Sequence, residues 1–235
     1  MQLTGDGLKR RGMELSALGD DAVVIEWGGV ADEVTLARVS AAVAALEADP
    51  PAGMIELVPA FTSLAVFYDV TRIADYEMFG REVMRRAQRK IAQVALKPRI
   101  VTIPVCYGGE NGPDLITVSR HAGLTERQVV QLHTAETYTV GAVGFMPGFP
   151  YLVGLPSKLH TPRRNTPRTT VPRGSVAIGG AQTGVYPLES PGGWNLIGRT
   201  PLTLVDTALA DPMQLRVGDR VKFKPISAEE YAAWR

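Results

Sequence analysis

The stretch from Gly141 to Pro201 constrains the fold more than any other part of this chain, because it is rich in both glycine and proline. It holds nine of the 17 prolines and eleven of the 24 glycines. That composition alone would fit a disordered linker. The stretch also contains large apolar side chains that offset the entropy cost of ordering, among them Phe145, Met146, Phe149, Tyr151, Leu152, Val176, Ile178, Tyr186, Trp194, Leu196 and Ile197. Proline restricts φ and glycine permits positive φ, so we predict an ordered, irregular surface whose loops face a ligand.

Composition and charge exclude several classes of protein. The 235 residues are 45% hydrophobic and 21% charged with a formal net charge of +1, so no global field favours nucleic acid or an anionic membrane. No apolar run approaches the ~18 residues that span a bilayer. The segment Met1–Gly12 has three basic residues but no apolar core after them, so we expect a loose leader and no signal peptide. The only cysteine, Cys106, excludes an internal disulfide and favours a reducing cytoplasm.

The first hundred residues alternate between strand and helix patterns, which predicts an α+β domain over residues 13–96. Apolar residues recur at helical spacing, and Asp32 is a candidate helix N-cap. The predicted order β-α-β-β-α resembles the ferredoxin-like plan, with the segment 99–106 as a closing strand. The predicted elements are strands 22–27, 54–58 and 63–68 and helices 32–48 and 75–94.

The chain changes in character after Lys97-Pro98, which predicts a second domain over residues 97–226. Helical periodicity persists only in two short segments, 114–121 and 125–133. Short β-rich runs separated by glycine and proline then favour an all-β barrel or sandwich with long loops; these runs are 138–143, 175–178, 202–205 and 220–223.

The basic segment from Lys158 to Arg173 is a candidate anion-binding loop. It contains five cations, which are Lys158, Arg163, Arg164, Arg168 and Arg173, and no acidic residue. Arginine suits bidentate recognition of carboxylate or phosphate, and prolines at steps of five stiffen the segment. A solvated basic loop is the alternative. Nucleic acid is disfavoured, because no aromatic residue is interleaved for base stacking.

The glycine-rich segment that follows offers neutral hydrogen-bonding groups beside the cations. Gln182, Thr183 and Tyr186 lie within the segment 179–187, and glycines there would expose backbone N–H groups to an amide or a phosphate. The spacing is not that of a Walker A loop. Further along, Glu189 is either a base or an ion-pair partner of Arg199.

Other catalytic arrangements are weakly supported. Cys106 with His121 or His133 would make a Cys-His nucleophile, but a free cysteine is more often simply buried. The three histidines, which include His160, lack the close spacing of a zinc site. No serine lies in a nucleophile-elbow context.

Several segments together resemble the family of 5-oxoprolinase B subunits, which is also called the allophanate hydrolase subunit 1 family and includes a sporulation kinase inhibitor of bacilli. The resemblance extends from Glu14 to Pro225, with motifs in the same order. The segments that match are 19–23, 103–115, 144–152, Thr161-Pro162-Arg163-Arg164, Thr166-Pro167-Arg168, 171–176, 182–187 and Ser190-Pro191-Gly192-Gly193-Trp194.

The resemblance implies a small α+β domain followed by a cyclophilin-like β-barrel. It also implies a heteromeric hydrolase in which this chain works with two partners, the C and A subunits of the same system. Such a complex uses ATP, with Mg²⁺, to open 5-oxo-L-proline to L-glutamate through a phosphorylated lactam. The ATP site would lie on this chain, on the partner or between them. A cyclophilin-like fold does not imply prolyl isomerase activity.

The residues and the resemblance combine into one hypothesis for the site. A small anionic lactam needs a cation for its carboxylate and neutral groups for its amide, and phosphoryl transfer needs mainly positioning and charge. We therefore predict Arg168, Arg173 and Glu189 as catalytic residues. The predicted substrate-binding residues are Phe149, Gln182, Thr183, Tyr186, Trp194 and Arg199.

Three alternatives stay open at this stage. The same scaffold would serve a urea or allophanate pathway with a different substrate. The family also contains a histidine-kinase inhibitor that acts by protein binding. In the third alternative the loop surface only docks a partner and holds no active site, since exposed apolar loops often mark interfaces.

Overall fold

A computed structural model describes residues 8–10, 12–89 and 99–234, with only the backbone described for the first three. The chain divides into two compact units, Met1–Lys97 and Pro98–Arg235. The fold class is α+β, as the sequence predicts: one unit packs two helices on a sheet, and the other contains a closed β-barrel.

The described residues of the first unit form five strands and two helices. Its helices begin where aspartate side chains accept backbone N–H groups of the first turn: Asp32 accepts from Thr35 at 2.8 Å, and Asp75 accepts from Met78 at 3.0 Å. The apolar faces of both helices pack against buried side chains of the strands to form the core of this unit. The elements are β1 (Leu8–Arg10), β2 (Met13–Leu18), β3 (Ala22–Glu26), α1 (Glu33–Ala48), β4 (Met54–Ala60), β5 (Ser63–Tyr68) and α2 (Tyr76–Ala87).

The sheet of the first unit runs in the order β1-β2-β3-β5-β4 with antiparallel pairing throughout. A ferredoxin-like plan needs a strand beside β3, and the predicted closing strand 99–106 would take that place. This assignment is wrong, because β2 occupies the position. The loose-leader interpretation is also wrong for Leu8–Arg10, which pairs with Met13–Leu15. The predicted helix 75–94 ends at Ala87, and residues 90–94 of that prediction lie outside the described residues.

The second unit is built on a seven-stranded barrel. Its strands follow the order β7-β14-β6-β13-β10-β11-β8, and β8 pairs with β7 to close the ring. A separate ribbon joins β12 to β9. The strands are β6 (Ile100–Tyr107), β7 (Tyr138–Val143), β8 (Pro150–Val153), β9 (Arg168–Val171), β10 (Ser175–Gly179), β11 (Gln182–Val185), β12 (Ser190–Gly192), β13 (Asn195–Arg199) and β14 (Arg220–Pro225).

Two helices follow β6 and pack against the barrel. Helix α3 (Leu115–Ala122) ends at Gly123 in the left-handed conformation, which glycine adopts without a Cβ penalty. Helix α4 (Glu126–Ala135) begins with a capping box between Thr125 and Gln128. A short helix, α5 (Ala228–Ala232), follows the last strand.

Alternation along the strands separates two cores in this unit. On β10, Val176 and Ile178 belong to the barrel interior, whereas Ala177 between them belongs to a second cluster. On β13, Ile197 belongs to the barrel interior and Leu196 belongs to the second cluster. Since successive side chains point to opposite faces of a strand, the second cluster lies on the outer face of β10 and β13.

The barrel strands were predicted in part. The predicted runs 138–143, 175–178 and 220–223 are strands β7, β10 and β14. The predicted strand 202–205 is wrong: it contributes only an isolated bridge between Val205 and Met213. No helix of the described residues has both the length and the apolar character needed to cross a membrane.

Candidate functional site

A buried carboxylate organises the basic segment. Asp114, whose side chain is 5% exposed, accepts two hydrogen bonds from Arg168, at 2.7 Å from Nη1 and 2.9 Å from Nη2. It also accepts from Arg164 Nη1 at 3.0 Å and from the backbone N–H of Leu196 at 2.8 Å. Asp114 therefore fixes two of the five predicted cations, Arg164 and Arg168. The three side chains together carry a net charge of +1.

The predicted residues Phe149, Tyr186 and Trp194 come together in an aromatic cluster. The ring of Phe149 lies at its centre, with centroid distances of 5.1 Å to Tyr186, 5.5 Å to Trp194 and 4.9 Å to Tyr151. These contacts are edge-to-face, the arrangement that aromatic quadrupoles favour. Burial raises the pKa of the Tyr186 hydroxyl above its usual value. The cluster is thus the second core on the outer face of the barrel, and most of its surface is buried.

Phe145 is the exposed member of this aromatic group. Its side chain is 62% exposed, although its ring packs edge-on against Phe149 at 5.6 Å. Its φ of +69° is left-handed, which costs a residue other than glycine about 1–2 kcal/mol. A tight turn maintains this conformation, since Gly144 donates to the Phe149 carbonyl at 3.1 Å and Phe149 donates to the Met146 carbonyl at 3.2 Å. Backbone strain that presents an aromatic ring to solvent is typical of ligand-contacting loops.

Glycines of the segment 179–187 make room for these rings. A Cβ at Gly179 would meet the indole of Trp194, and a Cβ at Gly184 would meet Phe149 and Trp194. The sequence predicts that these glycines expose backbone N–H groups to a ligand. The structure instead uses both of them for close packing of aromatic side chains.

The predicted residue Thr183 lies on the opposite face of its strand, in the barrel interior, where it is bonded to His133. The Thr183 hydroxyl donates to the Ala177 carbonyl at 2.9 Å, so it accepts from His133 Nε2 at 2.9 Å. The other ring nitrogen, Nδ1, then accepts from the Tyr107 hydroxyl at 2.8 Å. His133 is fully buried and stacks on Phe223 with a centroid distance of 4.6 Å.

Burial makes the protonated form of His133 unfavourable. Removal of the ring from water lowers the pKa of His133 from 6.5 to about 3. The neutral Nε2–H form is therefore the one that the interior holds. Because Tyr107 and Thr183 occupy both ring nitrogens, His133 does not pair with Cys106, whose thiol instead accepts from Asn111 Nδ2 at 3.3 Å.

The remaining predicted residues lie nearer the surface. Arg173 and Glu189 are exposed, and Arg199 donates from Nε to the Arg173 carbonyl at 2.8 Å. Gln182 is half-buried and faces Gly179 across the β10–β11 hairpin. Within the described ranges, no acidic side chain forms an ion pair with Arg173, so its charge is available to a ligand.

A depression of about 440 Å³ lies beside the aromatic cluster, between helix α3 and the segment Thr161–Thr166. The sequence identifies Arg163 and Arg164 as members of a basic segment, and only the fold brings them next to helix α3. Thr117 and His121 are four residues apart and line the helical wall, a spacing that places both on one helix face. The guanidinium of Arg163 lies 5.8 Å from the centroid of the Trp194 ring, which links the depression to the aromatic cluster.

No group of three or more histidine, cysteine, aspartate or glutamate side chains in the described part of the chain is arranged to hold a metal ion.

The sequence and the fold match a known class of domain. A family model described as "Carboxyltransferase domain, subdomain C and D" matches residues 13–215. The fold is similar to that of the K. lactis urea amidolyase, with a TM-score of 0.75 and 21% identity over 94% of this chain and 15% of that one. The barrel with its preceding α+β unit therefore defines a carboxyltransferase C and D domain.

Closer relatives are similar to this chain over nearly its whole length. It is 43% identical over 231 residues to the 5-oxoprolinase B subunit of Bacillus subtilis, covering 94% of this chain and 96% of that protein. It is 46% identical over 213 residues to the Escherichia coli O157:H7 protein of the same name, covering 88% of this chain and 94% of that one. The chain belongs to the family of 5-oxoprolinase B subunits, which confirms the resemblance found in the sequence.

A solved structure of TTHA0988 shares this fold within a longer chain. The TM-score is 0.77 at 37% identity, and the match covers 88% of this chain and 40% of TTHA0988. The chain thus spans about two fifths of that relative's length.

Proposed function

We propose that this chain is the B subunit of an ATP-dependent 5-oxoprolinase, which converts 5-oxo-L-proline, ATP and water to L-glutamate, ADP and phosphate. The observation that supports this most strongly is the 43–46% identity, over most of both chains, to two proteins named as 5-oxoprolinase B subunits. That name implies other subunits, and we propose that the C and A subunits of the same system are the partners of this chain. The free thiol of Cys106 fits action in a reducing cytoplasm.

We propose that the chain contributes to activation of the lactam rather than completing the reaction alone. An amide resists hydrolysis because its nitrogen lone pair is delocalised into the carbonyl. Phosphorylation of the carbonyl oxygen by ATP activates the carbonyl carbon, so that water adds there and the ring C–N bond breaks as the nitrogen takes up a proton. The resulting acyl phosphate then reacts with a second water to give the carboxylate and free phosphate. The transfer spreads negative charge over the phosphoryl oxygens, and positioned arginines stabilise that charge without a covalent nucleophile.

Two predicted arginines have complementary roles in this proposal. Arg173 is exposed and pairs with no acidic side chain of the described residues, so it supplies the contact to the substrate carboxylate or to phosphate. Arg168 is oriented by its two bonds to Asp114 and supplies a cation at a fixed position. Glu189 is exposed to solvent and is the proposed proton acceptor.

The aromatic residues have a role in shape rather than in charge. The proposed lactam ring packs against the exposed face of Phe145, which the buried rings of Phe149, Tyr186 and Trp194 support. Gln182 and Arg199 lie at the margin of this surface in the proposal, and Thr183 acts from inside the barrel by fixing strand β11.

We propose that ATP enters as a second substrate, at a site that lies on this chain or is shared with the C-type partner. The guanidinium groups of the basic segment have the chemistry that phosphate oxygens require. Mg²⁺ would enter with the nucleotide, since it is commonly held by substrate phosphates, water and only one or two carboxylates.

Reconstitution tests the proposal directly. The three subunits from one genome are co-expressed and purified, and 5-oxoproline-dependent ADP formation and glutamate release are measured together. We expect turnover to require this chain. Urea and allophanate serve as parallel substrates, and turnover with either of them but not with 5-oxoproline would overturn the assignment.

A double variant and a control variant test the roles of the two arginines in the same assay. Alanine at both Arg168 and Arg173 should lower turnover by at least about a hundred-fold, because each charged hydrogen bond contributes roughly 1.5–3 kcal/mol and two are lost. The matched control is Arg127→Ala, which removes an exposed cation from helix α4. Equal turnover of the double variant and the control would refute the roles but leave the chain's membership of the complex intact. Recovery of a histidine kinase instead of the two partner proteins in a pull-down would point to an inhibitor.

A further inference from the structure

The depression between helix α3 and the segment Thr161–Thr166 has a lining suited to an oxyanion. Two arginines and one histidine line it, and no acidic residue does. Its polar lining comes from two walls, one on the helix and one on the loop. The lining residues are Thr117, His121, Thr161, Pro162, Arg163, Arg164, Asn165, Thr166 and Asn195.

The loop wall is preorganised by hydrogen bonds that do not use its outer side chains. Thr161 and Gly180 exchange backbone hydrogen bonds at 3.1 and 2.8 Å, and Arg164 donates its backbone N–H to the Gly193 carbonyl at 2.7 Å. The buried side chain of Asn195 donates to the Pro162 carbonyl at 2.9 Å. The loop is thereby fixed without ligand, which lowers the ordering cost that binding would otherwise incur.

Several hydrogen-bond donors in the depression have no protein acceptor within the described residues. The Nε–H of Arg164 is buried and makes no hydrogen bond there, even though Nη1 of the same group is bonded to Asp114. A buried donor of this kind is normally bonded to an ordered water or to a bound ion. The exposed side chains of Thr117, His121, Arg163, Asn165 and Thr166 likewise make no hydrogen bond to the described residues.

We propose that this depression is a phosphate-binding site, in which Arg163 and Arg164 contact the oxygens from the loop and Thr117 and His121 contact them from the helix. Donors on two walls suit a tetrahedral group with oxygens on every side, whereas a planar carboxylate presents only two. The C-terminal end of α3 carries a partial negative charge of about half an elementary charge, which repels an anion. The full positive charge of Arg163 alone is larger than this. The volume of about 440 Å³ leaves room for the rest of a phosphorylated molecule.

Titration calorimetry of the full chain with inorganic phosphate tests this site at constant ionic strength, with ATP and 5-oxoproline as competitors. We expect saturable binding that weakens about ten-fold or more in Arg163→Ala, the loss of one charged hydrogen bond. His121→Ala should weaken it about three-fold, for one weaker contact. Arg120→Ala is the matched control, because Arg120 is exposed on the same helix next to His121 but does not line the depression. A dissociation constant of Arg120→Ala within about two-fold of that of the unmodified chain indicates a specific site rather than general electrostatic attraction.

An NMR titration adds a readout that does not depend on affinity alone. Phosphate should shift the ¹H and ¹⁵N resonances of the Arg164 Nε–H group. Displacement of phosphate by ATP would assign the site to a nucleotide phosphate, and its absence would assign it to free phosphate; both outcomes support a phosphate site.

Three results would overturn the inference. They are no saturable binding, equal weakening in Arg163→Ala and Arg120→Ala, and displacement of phosphate by 5-oxoproline, which would make this a carboxylate site. Each is independent of turnover by the reconstituted complex, so failure here leaves the proposed function standing.

Discussion

Acidification from pH 7.5 to 5.0 should destabilise the barrel through His133 alone by about 2 kcal/mol. The pKa of His133 falls from 6.5 in the unfolded chain to about 3 in the fold. Between these values the unfolded chain binds the proton and the folded barrel does not, so acid favours unfolding. The contribution of neutral His133 to the free energy of unfolding is fully present above pH 6.5 and is lost as the pH falls towards 3. Linkage gives a loss of about 2 kcal/mol at pH 5.0 and about 3 kcal/mol at pH 4.0.

The assay needs a probe that reports on the barrel. Trp194 lies in the second unit, so Trp27→Phe and Trp234→Phe leave its fluorescence as the signal during urea unfolding. The comparison variant, His133→Gln, has no ionisable ring and should be less stable at pH 7.5, because Tyr107 and Thr183 lose part of their bonding. The stability gap between the two proteins should then narrow by about 2 kcal/mol at pH 5.0.

A difference in the free energy of unfolding between the two proteins that stays constant from pH 7.5 to 5.0 would refute the reasoning. It would mean that His133 has the same pKa in the folded and unfolded states. An NMR titration provides an independent check. The His133 ring should keep its neutral Nε2–H resonances down to pH 4, and a midpoint near 6.5 would contradict the burial argument.

Two stability predictions concern the packing around Asp114 and α3. Asp114→Asn removes the charge that holds Arg168 and should cost about 3 kcal/mol in urea unfolding; a loss below about 1 kcal/mol would show that solvent replaces the pair. Gly112→Ala should cost about 2 kcal/mol or more, because a Cβ there would overlap the Ile197 carbonyl, whereas Gly144 has no atom within 4 Å of a built Cβ. Thermal unfolding of Gly112→Ala beside Gly144→Ala tests this, and similar midpoints would contradict it.

Local patterns in the sequence predicted the helices of the first unit better than its strand order. Leu36 and Val39 repeat at helical spacing, and both are buried in α1. Strand β2 was missed although Met13 and Leu15 alternate with polar neighbours, the burial pattern that the structure shows. The segment 99–106 was assigned to the wrong sheet, because the apolar pattern of a strand does not determine which strand lies beside it.

The site was predictable as a set of residues but not as a set of contacts. The resemblance and the basic composition both identified Arg168, yet its partner Asp114 lies 54 positions away in the chain. His133 appeared as a candidate for a nucleophilic pair with Cys106, while its bonding partner Thr183 lies 50 positions away. Periodicity reports which face of an element is buried; ion pairs and buried hydrogen bonds depend on how distant elements meet.

The position of β14 has a consequence for biosynthesis. This strand pairs in parallel with β6, Arg220 facing Ile100, and also pairs with β7, so the ring lacks a member until residues 220–225 are made. At about 5–20 residues per second, β6 waits roughly 6–25 s for its partner. During that time its apolar edge is open to pairing with other chains. A nascent chain arrested before residue 220 would therefore be an aggregation hazard, although most of the site's residues are already present.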